Sequence, residues 1–314
     1  MTRGAGEERT EGAGENRGGT RPAGPAESES NAFGAGRGDA LTESGRGKEN
    51  SGMRKEIRYV LLDPTGNLTC LVLDPAEPRE REAVTARLMD RCEQVGYLMP
   101  ASRGEARGRL QMMGGEFCGN ASMATAAWLA REAGETEAEM TLEVSGVPVP
   151  VGCRVRREKD GSWSGTVEMP PVGEIGPFRA GGRELTAVRM PGMTHLICEE
   201  RLGREEAEEL LRGAAEELED PALGLLQWDE EKKTMKPLVL VREAGTLVWE
   251  TACGSGSTAV GAWRARRAGR DLETEVRQPG GTLRVRTAGE KFYLSGRVTI
   301  GETDSVSVTA GEET

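Results

Sequence analysis

Histidine is almost missing from this chain: His195 is the only one among 314 residues. A Ser-His-Asp or Cys-His hydrolase would have to be built around that one imidazole, and no G-x-S-x-G elbow accompanies it. Net positive charge is missing too. The formal charge of -11 excludes a general nucleic-acid binder, which needs a basic face to meet phosphates. No apolar run approaches the length of a bilayer-spanning helix, and no leader with an apolar core is visible, so neither nucleic acid nor membrane is expected as a partner. Lysine is scarce, and none stands in a clear pyridoxal phosphate context. Six cysteines are present (Cys70, Cys92, Cys118, Cys153, Cys198 and Cys253), but no C-x-x-C pair, so zinc-site spacing is absent and no metal is expected. In a chain this long they read as reduced thiols of a cytoplasmic protein.

What remains is a soluble globular composition, 36% hydrophobic and 30% charged, preceded by a tail. Residues 1–52 are rich in Gly, Glu, Arg, Ser and Thr, with almost no large apolar side chains. Such a stretch cannot bury enough surface to offset the entropy of ordering it, and it is expected to be disordered. Met53 is a candidate start, with the tail then an upstream translation. From there "MRKEIRYVLLDPTGNLTCLVLD" alternates like strands joined by a Pro-Thr-Gly-Asn turn. "TLEVSGVPVPVGCRVR", "ELTAVRM", "PLVLV", "TLVWET", "TLRVRT" and "KFYLSGRVTI" also read as strands, and helical patterns run over 79–92, 121–132, 204–218 and 257–268. Many strands with a few helices predict an α+β class.

An internal repeat organises the pattern. Aligning Cys118 with Cys253 sets "GNASMATAAW" against "GSGSTAVGAW", with Cys, Gly, Ser, two Ala and Trp recurring in register. Gly146 and Gly281 each lie 28 positions beyond their cysteine, before a strand. The chain therefore reads as two copies of one α+β unit: an N-terminal half, 53–180, carrying Cys118, and a C-terminal half, 181–314, carrying Cys253. The last strand is free to return to the first half. The small residues along both helices suit a helix packed closely inside a curling sheet.

A helix N-terminus carries unpaired N–H groups and partial positive charge. It is expected to stabilise a thiolate placed there and to hold a substrate carboxylate. Two such ends facing each other would put one thiol on each side of a small cleft. One thiolate then removes the α-proton of an amino acid, and the opposite thiol delivers a proton to the other face. Donors aimed at the carboxylate stabilise the enolate-like charge, so no cofactor is required. Cys70, Cys92, Cys153 and Cys198 read as small buried hydrophobes.

At these residues the chain resembles the diaminopimelate epimerase-like superfamily of cofactor-independent racemases. "EFCGNA" and "ACGSGSTA" look like its two cysteine motifs, and the resemblance runs from about Tyr59 to Ile300. "EQVG", "CGSG" and "QPGG" are most similar to the histidine racemases of opine-type metallophore biosynthesis, the staphylopine type. The resemblance implies two pseudo-symmetric domains, each a sheet wrapped around a central helix, with the site between them. It implies Cys118 and Cys253 as the acid/base pair, and Gly119-Asn120 and Gly254-Ser255 as the carboxylate-binding turns. Asn67 would contact the α-amino or carboxylate group, Gln94 would line the pocket, and Glu250 and Thr251 would help hold substrate or the cleft wall. Glu93 is placed either to accept an imidazole N–H or to be a surface carboxylate. His195 has either a packing and hydrogen-bonding role or a contact to substrate.

Two departures bear on the substrate. Diaminopimelate epimerases continue "CGN" with Gly and Arg, where this chain has Ala121 and Ser122. They also carry an arginine some eight residues before the second cysteine for a distal carboxylate; Gly245 stands there, with Arg242 and Glu243 displaced. The reading is an amino-acid racemase acting on histidine, as a monomer or homodimer. The alternatives are a diaminopimelate epimerase and a catalytically inactive amino-acid-binding relative.

Overall fold

A computed structural model describes residues 54–243 and 245–309; the acidic tail and the candidate start at Met53 lie outside the described residues. In chain order, β1 (Arg54–Pro64) and β2 (Thr69–Val72) lead to α1 (Pro78–Leu88), then β3 (Gln94–Met99), β4 (Ala106–Met112) and α2 (Gly119–Glu132). Next come β5 (Glu137–Val144), β6 (Val151–Arg157), β7 (Trp163–Met169), β8 (Ile175–Ala180), β9 (Arg183–Met190) and β10 (Met193–Cys198). The chain continues with α3 (Arg204–Glu217), β11 (Ala222–Asp229), β12 (Thr234–Val241), β13 (Thr246–Trp249) and α4 (Gly254–Ala268). It closes with β14 (Glu273–Gln278), β15 (Gly281–Ala288) and the long β16 (Lys291–Thr309). The mixed helix-and-strand class expected from the composition is the class observed.

The pairings run twice in the same order. β1–β2 is antiparallel, β2–β3 parallel, β3–β4 antiparallel, β4–β5 parallel, and β5–β6 and β6–β7 antiparallel. β9–β10 is antiparallel, β10–β11 parallel, β11–β12 antiparallel, β12–β14 parallel, and β14–β15 and β15–β16 antiparallel. Each parallel step is bridged by a helix, as parallel neighbours require. β16 joins the two series, pairing with β7 through its first part and with β1 through its last.

The helices expected at 121–132 and 257–268 begin earlier, immediately after each cysteine. Cys118 and Cys253 are themselves the N-caps, and each sulfur accepts a backbone N–H at 3.4 Å, from Ala121 and Gly256 respectively. Ser122 and Ser257 donate back to the carbonyls of Cys118 and Cys253, both at 2.7 Å. That local use accounts for the repeated serine. The repeated tryptophans carry arginines over their rings, Arg131 on Trp128 and Arg267 on Trp263. Small residues are demanded by contact: a Cβ on Gly261 would lie 2.5 Å from Val285. α2 packs against β6, β7 and β16, and its buried alanines share one apolar core with Leu283, Val285 and Leu294.

Several strands escaped the sequence reading, including β3, β4, β7, β10, β11 and β14. β3 is short, and β4, β7 and β14 mix polar residues into their runs. β10 and β11, near-continuously buried, lack the period-two alternation of a half-buried strand. "TLEVSGVPVPVGCRVR" is two antiparallel strands, β5 and β6, turning at Gly146, whose φ is 77°.

The Pro-Thr-Gly-Asn turn and the Gln-Pro-Gly-Gly turn meet backbone to backbone. Gly66 has φ 92°, and a Cβ there would sit 2.4 Å from the Cα of Gly280. Gly134 shares the positive φ, 72°, but faces open space. Gly134→Ala is therefore expected to cost about 1 kcal/mol of backbone strain. Gly66→Ala should cost at least about 2 kcal/mol more, since the turns must separate. Urea unfolding of the two variants measures the difference; equal losses would show that the turn contact is not tight.

Candidate active site

The N-termini of α2 and α4 meet at one side chain. A Cβ on Gly119 would lie 3.1 Å from Cδ2 of Leu294, and a Cβ on Gly254 would lie 2.8 Å from the same atom. Asn120 Nδ2 donates to the carbonyl of Ala252, the residue before Cys253, at 3.1 Å. The two N-cap cysteines thus stand on neighbouring helix starts. Their backbones are close only because glycine follows each.

Around them the predicted residues fall into two hydrogen-bonded chains, one running from Thr251 through Glu93, Asn67 and Gln94 to Cys118 and one from His195 through Ser255 to Cys253. Gln94 Nε2 donates to Asn67 Oδ1 at 2.6 Å and to Thr69 Oγ1 at 2.8 Å, and the Gln94 side chain also reaches the Cys118 thiol. Asn67 Nδ2 donates to Glu93 Oε2 at 2.9 Å. The Thr251 hydroxyl lies 2.7 Å from Glu93 Oε1 and 2.6 Å from the Gly66 carbonyl, so one proton serves two acceptors. Each Glu93 oxygen thereby has one protein donor and keeps a lone pair, and the residue is exposed. His195 is fully buried; its Nε2 lies 3.0 Å from Ser255 Oγ, which is 3.5 Å from Cys253 Sγ. Burial pushes His195 down to about 3, so it is a neutral imidazole joined to the site through Ser255.

The thiols depart from the sequence expectation. Helix N-termini were expected to hold them as thiolates, yet burial pushes Cys118 up to about 11 and Cys253 well above its ordinary value. The cap N–H groups pull the other way and lose to desolvation. The charges acting on the thiols add to the rise: the Glu116 and Glu250 carboxylates on Cys118, and Glu250 on Cys253. Glu250, half-buried, is itself pushed up to about 7 by burial, helped by Glu93 and opposed by a hydrogen bond to Cys253. A carboxyl that titrates near neutrality touching a protonated thiol is an arrangement able to move a proton.

One contributor went unassigned in the sequence. Gln278 Oε1 accepts the Cys253 backbone N–H at 2.7 Å, and its Nε2 donates to Ser257 at 3.0 Å, fixing the cap from outside the motif. Its signal was its place in "QPGG". Arg242, displaced from the clamp position, donates to the carbonyls of Ala215, Leu218 and Asp220 at the end of α3. Two surface cavities, of about 400 and about 450 Å³, are lined by neither cysteine. Convergent polar groups, not volume, mark the site.

The histidine racemase CntK N-terminal domain family matches residues 56–311. A histidine racemase from Fusobacterium nucleatum subsp. nucleatum is 28% identical over 256 residues, spanning 78% of this chain and 94% of the relative. A histidine racemase from Staphylococcus aureus (strain Mu50) is 26% identical over 265 residues, spanning 78% and 96%. Among solved structures, a predicted epimerase from Pseudomonas aeruginosa superposes with a TM-score of 0.61 at 18% identity, over 80% of this chain and 99% of that one. A hydroxyproline epimerase from Agrobacterium vitis with bound trans-4-hydroxy-L-proline gives 0.60 at 14% identity, over 82% and 92%. At such identities these two speak for the fold alone. With the family match running across nearly all of the described residues, this chain belongs to the histidine racemase family and is an isomerase, an amino-acid racemase.

Proposed function

We propose that the chain interconverts L- and D-histidine without a cofactor, with Cys118 and Cys253 as its two acid/base groups. The observation that carries this reading is the convergence of two capping thiols on helix starts that share Leu294 and are tied through Asn120. The substrate carboxylate binds the unpaired N–H groups of both helix starts. Its Cα then lies between the sulfurs. Glu250 takes the thiol proton of Cys253, the thiolate removes the α-proton, and the Cys118 thiol protonates the opposite face; the reverse direction exchanges the roles. The positive charge of the bound amino acid lowers both thiols toward the working range. The carbanion is stabilised by the helix-start donors, in a site where burial strengthens each interaction.

Histidine is favoured by the carboxylates. Glu93, held by Asn67 and Thr251, accepts an imidazole N–H. No arginine stands in for the distal-carboxylate clamp of a diaminopimelate epimerase, since Arg242 is engaged at the end of α3. The repeated order of strand pairings supports two pseudo-symmetric halves, 53–180 and 181–314, each a sheet around a central helix, with β16 returning to the first. Asn67, Glu93, Gln94, Thr251 and Ser255 form the pocket wall, and His195 supports it from behind. The enzyme works in the cytoplasm, as a monomer or homodimer, and supplies D-histidine to metallophore biosynthesis. Among the described residues no helix is long and apolar enough to cross a membrane.

Incubation with single L-amino acids in D2O should give α-proton exchange with histidine. Exchange with meso-diaminopimelate but not histidine would overturn the substrate. Cys118→Ser and Cys253→Ser should each lose racemisation by on the order of 1,000-fold or more, because one face loses its proton carrier; full activity in either sinks the two-thiol scheme. Mild oxidation should inactivate the enzyme by joining the thiols, and reductant should restore it; unchanged activity after oxidation argues against facing sulfurs. Glu250 is protonated below about 7 and ionised above it, so kcat/KM should rise with pH through that value. Glu250→Gln should remove this rise; a variant profile identical to wild type would exclude Glu250 as the proton acceptor.

A further inference from the structure

Asn120 and Ser255 occupy the same position of the repeat, the second residue after each cysteine, but their side chains behave differently. Ser255 stays within its own surroundings, between His195 and Cys253. Asn120 crosses over. Its Nδ2 reaches the Ala252 carbonyl at 3.1 Å, and its Oδ1 lies 3.2 Å from where a Cβ on Gly254 would stand. The side chain is 2% exposed, and its Oδ1 has no hydrogen-bond partner among the described residues. A buried carboxamide that leaves one acceptor unsatisfied gives up about 1–3 kcal/mol. Such a cost persists where geometry requires it. Beside this bond stands Leu294, against both Gly119 and Gly254. One side chain holds the helix starts apart, and one hydrogen bond draws them together.

We propose that Asn120 is the positioning residue that fixes the separation of Cys118 and Cys253. The bond ends on the carbonyl next to the second cysteine and begins two residues beyond the first, so any slackening moves both sulfurs relative to one Cα. Ser255, whose hydroxyl stands one bond closer to the backbone, is engaged with His195 and Cys253 and makes no reciprocal reach among the described residues. The inference rests on the reading that both thiols carry protons.

The test compares Asn120→Ala with wild type. Alanine removes the donor to the Ala252 carbonyl and places no charge beside the thiols. Two readouts are taken on the full chain: kcat and KM for histidine, and the rate at which diamide, accepting two electrons and two protons, joins Cys118 to Cys253, followed by mass spectrometry. The expected result is a fall in kcat on the order of 100-fold, as for a misplacement near 1 Å. KM should stay near its wild-type value, and disulfide formation should slow at least tenfold, about 1.4 kcal/mol. A folded Asn120→Ala with wild-type kcat or wild-type crosslinking overturns the proposal. Should that variant not fold, Asn120→Ser carries the same measurements. If Cys118→Ser or Cys253→Ser keeps activity, the two-thiol reading fails on its own, while the crosslinking rate still reports whether Asn120 sets the separation.

Discussion

Two helices cannot begin against one another unless the residues at their starts have nothing to collide with. Gly119 and Gly254 meet that condition at Leu294, and the remaining features of the site follow from it. Because glycine follows each cysteine, the sulfurs can serve as caps while the backbones stay close. Because the sulfurs are caps, one N–H of each helix start, from Ala121 and from Gly256, is committed to its own cysteine. The serines four residues after each cysteine fix the cap carbonyls, and Gln278 fixes the second cap from β14.

Electrostatically the site is a contest between helix ends and burial, and burial wins. Thiols raised above neutrality rest protonated, and a thiolate formed from one of them is the stronger base for it. The carboxylates around them make a negative rim, with Glu93 close enough to help raise Glu250. Such a rim resists a second anionic group on the ligand and favours a cationic or N–H-bearing one. The buried neutral His195 contributes no charge; it anchors Ser255.

The cysteines, the glycines beside them and the helices they start were legible because one repeat stated them twice. The fate of Arg242 was half legible: its displacement shows in the sequence, whereas its partners at the end of α3 depend on tertiary contact. The mutual approach of Gly66 and Gly280 could not be read, since nothing in either turn names the other. Nor could the rise in the thiol pKa values. A helix-start motif carries its favourable sign locally, while desolvation depends on what the rest of the chain piles over it. Strands β10 and β11 were missed for the same reason, as burial on both faces erases the alternation that a half-exposed strand displays.

Leu294 lies near the start of β16, the final strand, which pairs with both β7 and β1. During synthesis both helix starts are made before that leucine is added, α2 first and α4 second. Until it arrives they have no shared apolar wall. A growing chain therefore holds both helix starts before it holds the side chain on which they meet, and their final approach waits for β16.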